Sequence, residues 1–413
     1  MTQWGQHGLS GRALLSVRTA VRAHGVIGAA FTPVCPGGCL WRFGSAHRFA
    51  PAGLVAADED VGLPGRPCCS RALLPRVSSR GGVLGSELDI LEGVRVMEES
   101  RARVSSPPGG RVGARVEPEL VRCRVAEAFA AAGSGGFVHA VDIDSGVQFE
   151  YGADEAVLLA SVCKIPVLVE LYARSDEGTL DLSGRVHVPE GGRSPGPTGL
   201  SVMLDPIDVS LRDLAYWMMS VSDNAATDIL CDLLGIGAIN ARMSGLGLKE
   251  VRLVGTCRDI YAAFDEEFGG VDVVDLSDTQ AERLRASRVL HIPSATRGTP
   301  RSITALLSMI WQGQAASATA CAAMRRILGL QVWPHRLRSG FPDDAVAVAG
   351  KTGTLPFVRN EVGVVEYPDG GRYAVAVFTC PDSPAYVNPL ADAVIGTVAR
   401  AAVDYIRAAQ PTS

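Results

Sequence analysis

From residue 117 onward, strand-type sequence stands at the two ends of the chain and helix-type sequence fills the middle. That order constrains the fold more than any other feature. An isolated hairpin is marginal in water, so strands separated by so much helix must find each other in one sheet. The periodicity predicts an amphipathic helix over 120–132, then strands over 136–143 and 147–151 joined by an Asp144-Ser145-Gly146 turn. Helical sequence runs from 164 to 235, broken by a Gly- and Pro-rich loop over 191–199. The stretch 253–298 reads as irregular. Thr299 then reads as an N-cap with Pro300 at the first helical position, opening a helix to Gln312. Strands follow near 345, over 361–367 and over 372–379, the last two folded into a hairpin by Pro368-Asp369-Gly370-Gly371. A helix over 389–408 closes the chain. The expectation is an α+β fold: a three-layer α/β/α sandwich with one antiparallel sheet built from both ends, beside an all-helical lobe.

Chemistry enters through the lysines. Of 39 basic residues only three are lysine: Lys164, Lys249 and Lys351. Buried lysine can give up its proton and act as a base, whereas arginine cannot. Lys164 closes Ser161-Val162-Cys163-Lys164, and on a helix residues three apart share a face, so hydroxyl and amine can meet. Pro166 fits only a first helical turn, which puts Ser161 at or just before a helix N-terminus, where free N–H groups favour an oxyanion. A serine hydroxyl is a weak nucleophile until a base takes its proton, and Lys164, walled by the apolar run that follows it, is the nearest base. Ser222-Asp223-Asn224 lies between two helical patterns, a loop that can project side chains into a cleft. There Ser222 can relay a proton to a leaving amine, and Asn224 can hold a substrate amide and Lys164. Lys351-Thr352-Gly353-Thr354 ends a run of small and β-branched residues that reads as a strand. Lys351 and Thr352 together suit a carboxylate, and Gly353 would let a substrate backbone approach. Each motif alone is weak; the three in this order, each in a fitting context, are not. His139, His187, His291 and His335 recur at no metal spacing, and a Ser-His-Asp arrangement is left open by sequence, although the lysine pairing needs no histidine.

On these residues the region from about 118 to 409 resembles the class A β-lactamase and penicillin-binding-protein family of active-site serine enzymes. The resemblance extends to Leu211-Arg212-Asp213-Leu214 and to Ala238-Ile239-Asn240. It implies a β-lactamase/transpeptidase-like fold and an acyl-enzyme on Ser161, with Lys164 as base. Ser222 and Asn224 would line one wall, and Lys351, Thr352, Gly353 and Thr354 the other. The backbone N–H groups of Ser161 and Thr354 would form the oxyanion hole. Arg359 would help hold a substrate carboxylate. One departure stands out. The family's Glu-x-x-Leu-Asn motif, whose glutamate activates the deacylating water, has no counterpart in register over 251–261. Asp259, Asp265, Glu266 and Glu267 are the nearby acids, and a solvated acidic turn is the simpler reading of them. The expectation is therefore opening of a β-lactam or related amide with slow deacylation. An esterase or D-amino-acid peptidase on the same residues, or a β-lactam-binding sensor without turnover, are the alternatives. No metal or cofactor is called for.

The net charge of −5 offers no footprint for nucleic acid, and no run of 18 apolar residues suggests a membrane span. The partner expected is a small carboxylate-bearing molecule, and the chain is expected to be a monomer. Ten scattered cysteines form no secretory framework, and Cys35/Cys39 and Cys68/Cys69 lack companion histidines for zinc. Residues 1–115 differ in kind: they hold no lysine, and no acid precedes Asp58. They read as a poorly ordered extension ahead of a better start at Met97, leaving 116–413 as the hydrolase-like domain. A start at Met97 leaves no export signal and would favour the cytoplasm; with residues 1–96 included, export stays open.

Overall fold

The structure, a computed structural model, describes residues 117–269 and 278–409. The expected extension over 1–115 and the start at Met97 lie outside the described residues. Five antiparallel strands form the main sheet in the order β2-β1-β9-β8-β7. They are β1 (Ser134–Asp142) and β2 (Gln148–Tyr151) from the front of the domain, and β7 (Ala347–Leu355), β8 (Val358–Glu366) and β9 (Arg372–Pro381) from its end. The first and last segments meet along β1–β9, where Val138 pairs with Val377 and Ala140 with Val375. The sheet is thus assembled from both ends of the chain, as the sequence order requires.

Alternation along β9 sorts the two faces. Tyr373, Val375 and Val377 pack with helix α1 (Pro118–Ala131) and the closing helix α10 (Pro389–Ala409). Ala374, Ala376 and Phe378 face a core shared with α8 (Pro300–Gln312) and α9 (Ala318–Leu328). Thr299 caps α8 with a reciprocal Thr299–Ser302 capping box and Pro300 at its start. Beyond α8 lies the helical lobe: α2 (Lys164–Asp176), α3 (Leu211–Ser220), α4 (Asn224–Leu234) and α5 (Ile236–Gly245). Residues 164–173 of α2 are buried without a break, so this helix is the axis of the lobe.

Two parts of the prediction need correcting. The stretch 253–298 is not irregular: it holds α6 (Cys257–Phe268), α7 (Asp278–Arg285) and the short strand β6 (Arg297–Gly298), which pairs with β3 (Val157–Leu158). The region 164–235 is not all helix, because β4 (Arg185–Val188) and β5 (Ile207–Ser210) form a small hairpin-like pair inside it. No helix among the described residues is long and apolar enough to cross a membrane.

Candidate active site

Ser161 sits in a 3₁₀ turn, Ala160–Cys163, that runs directly into α2. The turn is held against the sheet. Asn360 on β8 donates from Nδ2 to the Leu158 carbonyl at 2.8 Å, and its Oδ1 accepts from the Thr379 N–H at 3.3 Å. A Cβ on Gly353 of β7 would lie 2.7 Å from the Leu159 carbonyl oxygen and 3.3 Å from the Ala160 Cβ. The close approach expected at Gly353 is therefore one the chain makes to itself: β7 packs on the nucleophile turn. Ala160 adopts φ +46° and Ser222 φ +61°, a region costly for residues with a Cβ. Such strain, of order 1–3 kcal/mol each, persists only where surroundings impose it, and here both positions flank the same cleft.

Lys164 is fully buried, and its Nζ reaches the Ser222 carbonyl at 2.7 Å, the Ser222 Oγ at 3.1 Å and the Asn224 Oδ1 at 2.9 Å. The strained backbone at Ser222 is what turns both its carbonyl and its hydroxyl toward the amine. Asp223, between them, points away. It caps α4 through the Ala226 N–H and also accepts from the Leu200 N–H and the Ser201 hydroxyl. Asn224 Nδ2 donates to the Pro195 carbonyl at 2.9 Å. The Ser161 hydroxyl enters none of the hydrogen bonds among the described residues; the residue is half-buried and opens to the cleft.

That cleft has two connected parts, of about 450 and 320 Å³, which share Ser161, Asn224, Tyr261, Thr354 and Tyr386. The smaller part adds Ser222, Thr352, Arg336 and His335. Lys351 lines neither part. It is fully buried beneath β7, with Nζ donating to the Thr352 carbonyl at 2.8 Å. Burial, with Lys164 nearby, pushes its pKa well below the ordinary lysine value. Arg359 lines the larger part, but its guanidinium is bound to the carbonyls of Ala385 and Tyr386 and lies 3.8 Å from Asp392. The cation that borders the smaller part, beside Thr352 and Thr354, is Arg336. Its guanidinium donates to Thr354 Oγ1 at 2.9 Å, to the Gly353 and Asn360 carbonyls, and to Asp392 at 2.7 Å. Sequence reasoning missed Arg336, which lies in coil without a motif around it.

Helix α6 occupies the ground where the deacylating glutamate was sought. Asp228 of α4 anchors it, accepting from the Cys257 and Arg258 N–H groups at 2.7 and 2.8 Å. Of the four acids considered there, Asp259 closes the capping box with Thr256, and Glu266 and Glu267 pair with Arg288. Asp265 alone of the four lines the cleft. On the cleft wall beside Asn224 the helix presents Cys257 and Tyr261 instead. Tyr261 lines both parts of the cleft together with Asn224, and desolvation there raises its phenol above the ordinary value. Burial likewise pushes the Cys163 thiol up to about 11 and the Cys257 thiol up to about 12. Both are uncharged walls at neutral pH.

A serine at the mouth of a buried helix, a lysine held by a Ser-x-Asn loop and a facing Lys-Thr-Gly strand define the β-lactamase and penicillin-binding class of serine folds. The family model described as "Beta-lactamase enzyme family" matches residues 121–406, and the chain belongs to that family. It is 30% identical over 283 residues to the β-lactamase regulatory protein BlaB of Streptomyces cacaoi, covering 64% of this chain and 91% of that one. It is 25% identical over 257 residues to the extended-spectrum β-lactamase PER-1 of Pseudomonas aeruginosa, covering 60% of this chain and 74% of that one. Among solved structures it resembles a β-lactamase from Sphaerobacter thermophilus, with TM-score 0.57 and 26% identity over 72% of this chain and all of the other. The fold is also that of PBP-A, whose L158E mutant was solved as an acyl-enzyme with penicillin G (TM-score 0.56, 21% identity, 72% and 97% covered).

Proposed function

We propose that this protein opens a β-lactam or a related amide by acyl transfer to Ser161 and releases the acyl group slowly. The observation that carries the reading is the seat of Lys164, whose amine is fixed by Ser222 and Asn224 one helical turn from Ser161. As a free amine it keeps two of these N–H contacts and turns its lone pair toward a serine hydroxyl. It takes the Ser161 proton as Oγ attacks the carbonyl carbon, and the tetrahedral oxygen is met by backbone N–H groups of Ser161 and Thr354. The C–N bond then breaks, and the amine leaves with a proton passed through Ser222. Thr352 and Thr354, backed by Arg336, receive the substrate carboxylate. Lys351, buried beneath the strand, supports it through the Thr352 carbonyl rather than by touching substrate.

Slow release follows from α6. Water attacking the ester needs a base, and the groups that α6 presents on the cleft beside Asn224 are a thiol and a phenol, both held neutral, while its one cleft-lining carboxylate, Asp265, lies a turn further along the helix. That favours a second reading, a β-lactam-binding sensor whose stable acyl-enzyme is the signal. The likeness to a β-lactamase regulatory protein supports it too. Incubation with benzylpenicillin followed by intact-mass and peptide analysis tests acylation. One adduct on the peptide containing Ser161, absent from Ser161→Ala, is expected; an adduct elsewhere, or none, would rule the proposal out.

A further inference from the structure

Helix α6 turns an apolar stripe toward the cleft. Cys257, Ile260, Tyr261, Phe264 and Phe268 recur at i, i+3, i+4, i+7 and i+11, one face of a helix, and all five line the larger part of the cleft. No residue of this 12-residue helix is buried. Phe264 and Phe268 pack in part on a small core that includes Leu158, Leu284, Leu290 and Phe357, and the stripe's remaining apolar surface borders the cavity. The opposite wall is also apolar: Leu355 and Pro356 from the β7–β8 turn, Leu284 from α7 and the ring of Tyr386. The helix is not loose. Asp228 holds its first turn and Arg288 binds Glu266 and Glu267 near its end, so the stripe is fixed facing the cavity. At about 450 Å³ the space is in the range of specific small-molecule pockets, and Ser161 forms part of its lining.

Taking acylation at Ser161 as given, we propose that this cavity receives the acyl side of the substrate and selects a large, uncharged apolar group such as a medium-length alkyl chain. Continuity with Ser161 makes the occupant the group on the carbonyl side rather than a separate ligand. Polarity excludes an anionic group. Asp265 lines the pocket, and one terminal nitrogen of the Arg359 guanidinium is held by the Ala385 and Tyr386 carbonyls. The two thiols that face the cavity, Cys163 and Cys257, are uncharged and add to its apolar wall.

The test uses the full chain and N-acyl derivatives of 6-aminopenicillanic acid carrying acetyl, hexanoyl, octanoyl and ω-carboxyoctanoyl groups. The rate constant for adduct formation should rise about two- to fourfold per methylene, on the order of 60- to 4000-fold over the six methylenes from acetyl to octanoyl. The terminal carboxylate should cancel most of that gain, and Phe264→Ser should flatten the series. Binding of the same compounds to Ser161→Ala, followed by calorimetry, reads the pocket without the chemistry and should show the same order. A flat series in both measurements, with Ser161 still acylated, overturns the pocket and leaves the acyl-transfer reading standing. Chain-length-dependent binding without any adduct supports the pocket and removes acyl transfer. A flat binding series with no adduct removes both.

Discussion

Replacing Gly353 by alanine tests how the nucleophile is held in place. The added Cβ would lie 2.7 Å from the Leu159 carbonyl oxygen, 3.2 Å from Val162 Cγ2 and 3.3 Å from the Ala160 Cβ. The first distance is shorter than real Cβ contacts, and the atom it meets is backbone, so β7 and the Ser161 turn must separate by several tenths of an ångström. Overpacking of this kind costs about 1–3 kcal/mol, equivalent to a fall in Tm of roughly 2–10 °C for a domain of this size. The shift also displaces Ser161 from Lys164 and from the Thr354 N–H, and small misplacements of reacting groups cost about ten- to hundredfold in rate. Thermal melting and the rate of penicillin adduct formation read the two effects. Gly135→Ala, where the new methyl group meets nothing within 4 Å, is the control and should stay within about 0.5 kcal/mol of the native chain. If Gly353→Ala melts and acylates like the native protein, the packing argument is wrong. If it weakens only the binding of bulky substrates, glycine serves substrate approach after all.

Lys164→Met should lower the acylation rate by at least about a thousandfold, because both the proton acceptor and the partner of Ser222 and Asn224 are lost; a loss below tenfold on the adduct assay would remove Lys164 as base. Arg336→Lys should raise the concentration needed for half-maximal acylation by carboxylate-bearing substrates about tenfold more than for neutral esters, and equal effects on both would remove its assigned role. Burial pushes the Glu361 carboxyl up to about 7 from 4.5, so between those values the folded chain holds a proton the unfolded chain has released. Stability from this group is full below about pH 4.5 and lost as pH rises to about 7, on the order of 3 kcal/mol. Glu361→Gln should remove that slope in urea midpoints measured at pH 5 and 7.5, and an unchanged slope would contradict it.

The sheet was legible because its signals are local. Pro368 to Gly371 is a turn by chemistry, and the hairpin of β8 and β9 follows from it. Thr299 and Pro300 mark the start of α8 in the same way. Helix α6 was hidden by its acids: Asp259, Asp265, Glu266 and Glu267 suggest a solvated turn, and they mask a five-residue stripe that the spacing of Phe264 and Phe268 could have exposed. The short pair β4 and β5 is too brief to stand out from flanking helical sequence. At the site, Ser161, Lys164, Ser222, Asn224, Thr352 and Thr354 are brought around one cleft, and each sits in a motif readable in isolation. Arg336 and Tyr261 reach the same cleft from distant segments, which no spacing reveals. The burial of Lys351 is also a tertiary fact. It depends on which face of β7 turns toward the helical lobe.

Mixing the full chain with a chromogenic cephalosporin, and following colour and intact mass together, tests the central claim most directly. A burst of colour equal to the protein present, with an adduct on Ser161 that persists long after the burst, is the predicted result. Sustained colour with no retained adduct would mean that α6 or its surroundings supply a deacylating base, contradicting slow release. No burst and no adduct would contradict acyl transfer to Ser161 itself.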